Sequence, residues 1–297
     1  MNKLHLMSVF IAVAEEESFT GGARRLAMSP PAVTRCIASL EARLGVKLLD
    51  RTTRYVRVTE AGKRYLDDAR RIITEVEEAD DAVIGINAEP KGHLTITAPV
   101  LFGSMFVTPV VVEYLHRYPE MSVTALFLDR VVNLIDEGVD VGIRIGQLGD
   151  SSMKALRVGE VRHVVCAAPE YLKKCGVLQH PRELVHHQTI IPNIVSSSVE
   201  WKFQSAGEPL SVRIKPRLTV TSNSAAIEAA RCGFGITRLL SYQISQSVDT
   251  GKLKIILDQF EPAPLPIHIV HREDRHKSAR VRTFVDMMSV GLRKIIV

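Results

Sequence analysis

The sequence predicts an N-terminal all-α winged helix-turn-helix, one long linker helix, and an α/β domain of two lobes. Three observations predict this. Residues 18–57, SFTGGARRLAMSPPAVTRCIASLEARLGVKLLDRTTRYVRV, hold two helical patterns separated by a tight turn and followed by a basic, alternating segment. From residue 59 to 87, apolar side chains recur at alternating steps of four and three, a heptad seam. Beyond residue 92 the pattern changes to strands alternating with helices, which implies parallel sheets with helices on their faces. The 297 residues, 46% apolar, suffice for a small module plus one or two larger domains.

The N-terminal stretch MNKLHLMSVFIAVAEEE reads as an amphipathic helix through Leu4, Met7, Phe10, Ile11 and Ala14, packed under the motif. Its single lysine, acidic end and lack of a small-residue cleavage site do not fit a signal peptide. No run approaches the length that crosses a bilayer, so the expectation is a cytoplasmic protein with no membrane partner. The first motif helix carries Phe19, Ala23, Leu26 and Ala27 on one face, with Arg24 and Arg25 opposite and Ser18 or Thr20 as the cap. Met28 and Ser29 make the turn. Ser29 is placed to cap the second helix, and Pro30 suits its first position because its missing N–H would be unpaired there. Val33, Ile37, Leu40 and Leu44 form the buried stripe of that helix and leave Ala32, Thr34, Arg35, Cys36 and Ser39 off it. Gly45 ends it.

A helix of this kind fits the major groove of B-DNA, where each base pair shows its own donor and acceptor pattern. In a helix-turn-helix the second helix enters that groove while the first crosses the backbone. The expected DNA-facing set is Ser18, Thr20, Ser29, Pro30, Pro31, Ala32, Thr34 and Arg35, with Arg51, Thr52, Thr53 and Arg54 on the flanking backbone or in a minor groove. Between residues 20 and 57 stand eight Lys/Arg against two Asp/Glu, a local footprint for phosphates within a chain of net charge +5.

Thr59 caps the long helix, whose seam runs through Tyr65, Ala69, Ile72, Val76, Ala79, Val83 and Ile86. A stripe this narrow between two separate units suits pairing with a second copy. A twofold dimer would read a partly palindromic site on double-stranded DNA. Glu89, Pro90, Lys91 and Gly92 break the helix. The division is therefore 1–59 for the DNA-binding domain, 60–89 for the linker and hinge, and 90–297 for the α/β domain.

In that domain residues 93–99, 121–128 and 140–146 read as strands, and 102–117 and 131–138 as helices. RHVVCAA, PEYLKKCG, a strand near 189–191, RLTVTS, SAAIEAARC and GITRLL follow. PIHIVHRE (266–273) and a helix from about 278 to 294 return the chain. The return suggests a first lobe of about 92–161 plus 266–297 and a second of about 162–265, with crossovers near 161–162 and 265–266. In open α/β sheets ligands sit outside the carboxyl ends of strands. Those ends place Pro99, Val100, Leu101, Phe102, Leu128, Arg130, Arg144, Gly146, Asn193 and Asn223 around a cleft. The helix starting near Phe102 offers N–H groups, and Arg130 and Arg144 offer guanidinium forks, to an anion; either arginine could instead be held in a salt bridge.

Catalytic and metal chemistry find no support. His186–His187 and His268, His271 and His276 lack zinc-site spacing and acidic company. GxSxG, a P-loop and a full dinucleotide fingerprint are absent from the sequence, so no catalytic residue, metal or cofactor is expected. The four cysteines, Cys36, Cys166, Cys175 and Cys232, lack CxxC spacing. Cys166, in the apolar run VVCAA, reads as a buried structural thiol rather than half of a redox pair with Cys175.

The run AVAEEESFTGGARRLAMSPPAVTRCIASLEARLGVKLLDRTTRYVRVTEAG resembles the N-terminal domain of LysR-type transcriptional regulators. The matching features are Phe10 with Val13 and Ala14, SFT at 18–20, Ala23, Leu26, SPPAVTR at 29–35, the LE pair at 40–41, LGVKLLDR at 44–51 and TEAG at 59–62. Gly21 and Gly22 stand where alanines are usual, Cys36 where a polar residue is commoner, and Leu240-Ser241 where many members have Leu-Pro. The resemblance spans essentially the whole chain. It implies two lobes like a type 2 periplasmic binding protein, a small-molecule effector in the cleft that is often an organic acid, a dimer through the linker helix that assembles into a tetramer, and possible contact with RNA polymerase. The alternatives are an architectural DNA-bending protein without an effector, and an α/β enzyme. An effector that changed neither DNA affinity nor footprint would favour the architectural reading.

Overall fold

Asn2 opens the first helix by accepting the Leu4 N–H on its side chain at 3.1 Å. The computed structural model of the protein describes residues 2–51, 56–84, 89–149, 153–192, 199–272 and 278–295. Helix α1 (Lys3–Glu15) buries Leu6, Met7, Val9, Phe10, Ala12, Val13 and Ala14. It is therefore covered on more sides than a single stripe allows, and the expected Leu4 and Ile11 are only half-buried. Helix α2 (Phe19–Arg25) starts at Ser18, whose hydroxyl accepts the Gly21 N–H at 3.1 Å. Ala27, at φ +50°, turns the chain into α3 (Pro30–Leu44), which has proline in its first turn. Gly45, at φ +69°, ends α3 and donates its N–H to the Glu41 carbonyl at 2.8 Å, a left-handed stop that glycine adopts without a Cβ penalty.

Three local expectations change. Ser29 stands at the N-cap with extended backbone but makes no side-chain capping bond; Pro30 and Pro31, without N–H groups, leave it fewer donors to accept. Cys36 is buried, 3% exposed, and Leu44 is 37% exposed, because the core under α3 is centred on Val33, Ile37 and Leu40 and its far end runs out into solvent. Gly22 has a packing reason: a Cβ there would lie 2.8 Å from Val13 Cγ2 and 3.1 Å from the Val13 backbone. Glycine thus lets α2 seat closely on α1.

Strands β1 (Leu49–Arg51) and β2 (Val56–Val58) pair antiparallel as the wing, with Leu49 opposite Val58 and Arg51 opposite Val56. Helix α4 (Glu60–Ile84) follows. Thr59 caps it, accepting the Gly62 N–H at 2.9 Å while its own hydroxyl donates to the Lys47 carbonyl at 2.9 Å.

The chain divides into two compact units, and the second begins at Pro90. It opens with β3 (Gly92–Ala98), α5 (Val100–Phe102), a π turn (Gly103–Val107), α6 (Thr108–Arg117), β4 (Met121–Phe127), β5 (Val141–Ile145) and β6 (Met153–Val161). Then come β7 (His163–Ala167), α7 (Pro169–Cys175), β8 (Thr189–Pro192), β9 (Val199–Ser205), β10 (Glu208–Ile214) and β11 (Leu218–Val220). After them lie α8 (Asn223–Arg231), β12 (Ile236–Leu240), α9 (Ser241–Asp249), β13 (Lys254–Ile256), β14 (Leu265–Arg272) and α10 (Ala279–Ile295). Two five-stranded sheets result, ordered β4-β3-β5-β14-β6 and β11-β8-β12-β7-β13, with β9 and β10 as a separate hairpin. Each has its own core.

The sheets are mixed rather than wholly parallel. β3 runs parallel to β4 and β5, but β14 is antiparallel to β5 and β6. In the second sheet β8 is parallel to β11 and β12, and β7 is antiparallel to β12 and β13. The chain crosses between lobes at residue 162 and again between β13 and β14, and α10 completes the first core with Val281, Phe284, Val285, Met288 and Leu292.

The helix expected over 102–117 forms in two parts around the π turn. Pro109 has no N–H to give back along the helix, and the Thr108 hydroxyl donates instead to the Gly103 carbonyl at 3.0 Å. The helix expected at 131–138 does not form; residues 134–138 are turns. Asn133 competes with it, accepting the Ile135 N–H at 3.1 Å and donating to Asp136 at 2.6 Å, the side-chain bonding by which asparagine displaces helix.

Candidate nucleic-acid interface and ligand cleft

The side of α3 opposite the core is the one a DNA groove would meet. Ser29, Pro30, Pro31 and Arg35 are exposed and Ala32 and Thr34 half-buried, while Val33, Ile37 and Leu40 are fully covered. Arg35 forms no ion pair among the described residues. An open hollow of about 320 Å³ beside it is lined by His5, Met28, Ala32, Arg35 and Cys36. On α2, Thr20 is exposed and its hydroxyl lies 3.0 Å from that of Ser18. Arg51 ends β1; Thr52, Thr53 and Arg54 lie outside the described residues.

The wing is fixed to α3 by a residue not singled out for any role in the sequence. Glu41 is 5% exposed. Its carboxylate accepts the Leu48 N–H at 2.9 Å, the Leu49 N–H at 3.2 Å and Lys47 Nζ at 2.7 Å. Burial pushes its pKa up, but these bonds outweigh burial and hold the carboxyl below the usual glutamate value. The sequence signal was available: a glutamate sits on the apolar stripe, four residues after Ile37 and beside Leu40. Behind the wing, Gly62 meets the chain at closest approach. A Cβ there would collide with the Leu48 carbonyl and come within 2.7 Å of Val58 Cγ1.

The expected dimer seam divides in two. Ala69 is fully buried, and Tyr65 packs on the motif core with its ring 5.7 Å from Phe10. Glu15 of α1 binds Arg25 at 2.6 Å and Arg70 at 2.7 Å, tying α2 and α4 to α1. Ala69 is thus enclosed within its own chain, and Tyr65 partly so. Ile72 is half-buried and Val76 is 37% exposed; α4 continues through Ala79 and Val83, whose side chains lie outside the described residues.

In the second unit, Pro99, Val100 and Leu101 stand at the carboxyl end of β3, half-buried or exposed. Phe102 does not face a cleft: it is fully buried, with Phe106 at 4.9 Å and Tyr242 of α9 at 5.3 Å between ring centroids. Tyr242 thereby joins the second lobe to the first lobe's core. Leu128 packs into a small satellite core with Val132, Leu134, Val139 and Val270. Arg130 is held in a two-pronged ion pair with Glu137, at 2.7 and 2.5 Å. Arg144 donates to the Val132 carbonyl. Gly146, at φ +120°, donates its N–H to the Pro266 carbonyl at 2.9 Å. Asn193 lies outside the described residues.

Asp129 was missed. Its Oδ1 accepts the Val100 N–H at 3.0 Å and its Oδ2 accepts Asn223 Nδ2 at 3.3 Å. One carboxylate therefore caps the helix of the first lobe and reaches the first residue of α8 in the second. Burial pushes the Tyr242 phenol up, and the Asp129 charge pushes it the same way.

The remaining chemistry is quiet. Burial raises the Cys166 thiol to about 12, and Cys175 is exposed at the end of α7, so Cys166 holds no thiolate at neutral pH. His187 lies 3.2 Å from the Tyr171 hydroxyl, and His271 bonds the Arg272 carbonyl at 2.7 Å; His276 lies outside the described residues. Among the described residues no group of His, Cys, Asp and Glu is arranged to hold a metal ion, and no helix is long and apolar enough to cross a membrane.

Comparison with known proteins matches both units. The family described as bacterial regulatory helix-turn-helix protein, lysR family, covers residues 4–63, and the LysR substrate binding domain covers 87–291. The regulator CrgA of Neisseria meningitidis serogroup B is 31% identical, over 95% of this chain and 94% of that protein. The transcriptional activator AaeR of Escherichia coli K12 is 30% identical, over 97% and 94%. A relative in Pseudomonas aeruginosa named as a repressor is also 30% identical, over 96% and 91%, so overall likeness does not carry the direction of control. The solved structure of CrgA superposes with a TM-score of 0.62, at 31% identity and covering 98% of this chain and 99% of that one.

Proposed function

The chain belongs to the family of LysR-type transcriptional regulators, and from that premise we propose how this member reads DNA and responds to a ligand. It is a DNA-binding transcriptional regulator with an effector-binding domain, not an enzyme. Two copies pair through the outer part of α4, by Val76, Ala79 and Val83 with Ile72 at the margin. In each copy α3 enters a major groove and presents Ser29, Pro30, Pro31, Ala32, Thr34 and Arg35 to base edges and nearby phosphates. Ser18 and Thr20 meet the backbone, and Arg51, Thr52, Thr53 and Arg54 hold the flanking strand or enter a minor groove. The twofold pair reads a partly palindromic promoter site. A small-molecule effector in the cleft between the lobes shifts them, and in a tetramer this changes the spacing of the reading heads. The ligand does so only by binding one arrangement better than the other. The protein works in the cytoplasm, on the nucleoid, where RNA polymerase is a further partner.

The observation that carries this reading is the two-sided α3, with a fully buried apolar side and an exposed side bearing Arg35. Arg35→Ala is expected to cost about 1–3 kcal/mol of specific binding and to relax base choice. Arg54→Ala is expected to weaken all sequences more evenly and flatten the salt dependence. Fluorescence anisotropy on matched and scrambled duplexes across a salt series separates the two. Undiminished specificity in Arg35→Ala would mean that α3 is not the reading helix. Val76→Asp places a charge in the outer seam, and sedimentation is expected to show a shift from dimers or larger assemblies to monomers. A variant that stays dimeric would move the interface elsewhere.

A further inference from the structure

His5 of α1 and Cys36 of α3 meet at the hollow beside the exposed side of α3. Nε2 of His5 lies 4.0 Å from Sγ of Cys36. Met28, from the turn between α2 and α3, lines the same open space of about 320 Å³. His5 is exposed, Met28 half-buried and Cys36 3% exposed. An imidazole, a thiol and a thioether from three separate segments thus border one hollow. Among the described residues no carboxylate lines it, and the reading of DNA by α3 uses none of the three.

We propose that His5, Cys36 and Met28 form a site for one soft monovalent metal ion of the copper(I) class, on the side of the N-terminal unit that faces DNA. Thiolate and thioether donors select copper(I), and imidazole suits copper as well. The spacing points the same way. Bonds of about 2.3 Å to sulfur and 2.0–2.1 Å to nitrogen span that separation at an angle of about 130–140°, with neither side chain moved. This is wider than the angle of about 109° at a tetrahedral zinc ion, and it suits an ion of two or three ligands. Only two of the residues are His or Cys, so the third donor is the Met28 sulfur, which three rotatable bonds let turn inward. Charge agrees. The ion replaces the thiol proton, which leaves to solvent, so a monovalent ion adds no net charge beside Arg35. A divalent ion would leave one extra positive charge there.

Ala32 and Arg35 line the same hollow, so an occupied site and a DNA groove compete for one side of α3. This coupling, unlike the site itself, rests on the reading of α3 as the DNA-reading helix. Occupancy is expected to lower specific DNA affinity about tenfold, within the ordinary range of coupling between two sites.

The test uses the full chain carrying Cys175→Ser and Cys232→Ser, because those two thiols are exposed and would bind the ion by themselves. Copper(I), kept reduced with ascorbate, is titrated in competition with the chelator bicinchoninate, and silver(I) serves as a redox-inert second probe. One ion per chain is expected. Cys36→Ser should lower the affinity by more than about 100-fold, and His5→Gln and Met28→Leu by about 10–100-fold. His5 is exposed and leucine conserves the volume of methionine, so these two variants decide the matter even where the buried Cys36→Ser fails to fold. No binding against the chelator, or binding that the variants retain, would overturn the site. One bound ion with unchanged DNA affinity, measured by fluorescence anisotropy, would overturn the coupling alone. Loss of specific DNA binding in the metal-free protein would instead remove the reading of α3 and leave the metal site standing.

Discussion

Glu41→Ala is expected to lower the stability of the DNA-binding unit by about 2–4 kcal/mol, because it leaves two buried N–H groups without their acceptor. The Leu48 and Leu49 N–H groups are held only 2.9 and 3.2 Å from this carboxylate, at the root of the wing. The effect should reach function as well as stability, since the wing would no longer be fixed relative to α3. Chemical denaturation of the full chain, following the transition of the N-terminal unit, measures the first. Footprint length on DNA measures the second. The pH dependence follows from the depressed carboxyl pKa. A lowered folded-state value means that the stabilisation is fully present above the unfolded value and is lost as pH falls through the folded one. The gap between wild type and Glu41→Gln should therefore be constant near neutrality and narrow below the usual glutamate range. A gap that widened on acidification would contradict the assignment of the charged form.

Gly62→Ala is expected to be nearly as damaging, at about 2–3 kcal/mol, the upper part of the range for overpacking. The obstacle is backbone rather than a flexible side chain: the new Cβ would strike the Leu48 carbonyl. That carbonyl cannot simply withdraw, because it accepts the Thr59 N–H at 3.0 Å. The helix propensity gained by alanine, up to about 1 kcal/mol, offsets part of the cost. The expected result is a lower denaturant midpoint with an unchanged slope. An unchanged or raised midpoint would show that the wing root has room to move. The two variants touch the same carbonyl segment, so their effects should not add.

The N-terminal module was legible because its elements are short and each carries its own signal. Ser18, Pro30 and Gly45 mark helix ends, and the Val33, Ile37 and Leu40 spacing marks the buried side. What escaped was long-range. Cys36 became core because α1 lies beside it, with His5 Nε2 4.0 Å from its sulfur, and no property of α3 alone shows that. Tyr65 and Ala69 share the heptad spacing of Val76, yet they face α1; periodicity identifies an apolar side without naming what covers it. In the α/β unit, strands such as 93–99 were plain from β-branched alternation. The β9–β10 hairpin, α9 and β13 were not, having weaker patterns. The cleft was least legible. Strand ends left Arg130 and Arg144 open to an anion or to a salt bridge; Arg130 is in the salt bridge, with Glu137, and Arg144 is bonded to the Val132 carbonyl. Asp129 was passed over because its partners, Val100 and Asn223, lie far from it in sequence.

We propose that this chain reads DNA as a dimer, sequence-specifically, through α3. Genome-wide occupancy of the purified protein in vitro tests this at about physiological ionic strength, where exposed charges are screened beyond about 8 Å. The prediction is a small number of sharp sites sharing an interrupted palindrome with twofold-related half-sites, lost in Arg35→Ala. Diffuse binding that disappears as salt rises, with no shared motif, would leave only the phosphate attraction of the basic segment and would contradict the claim.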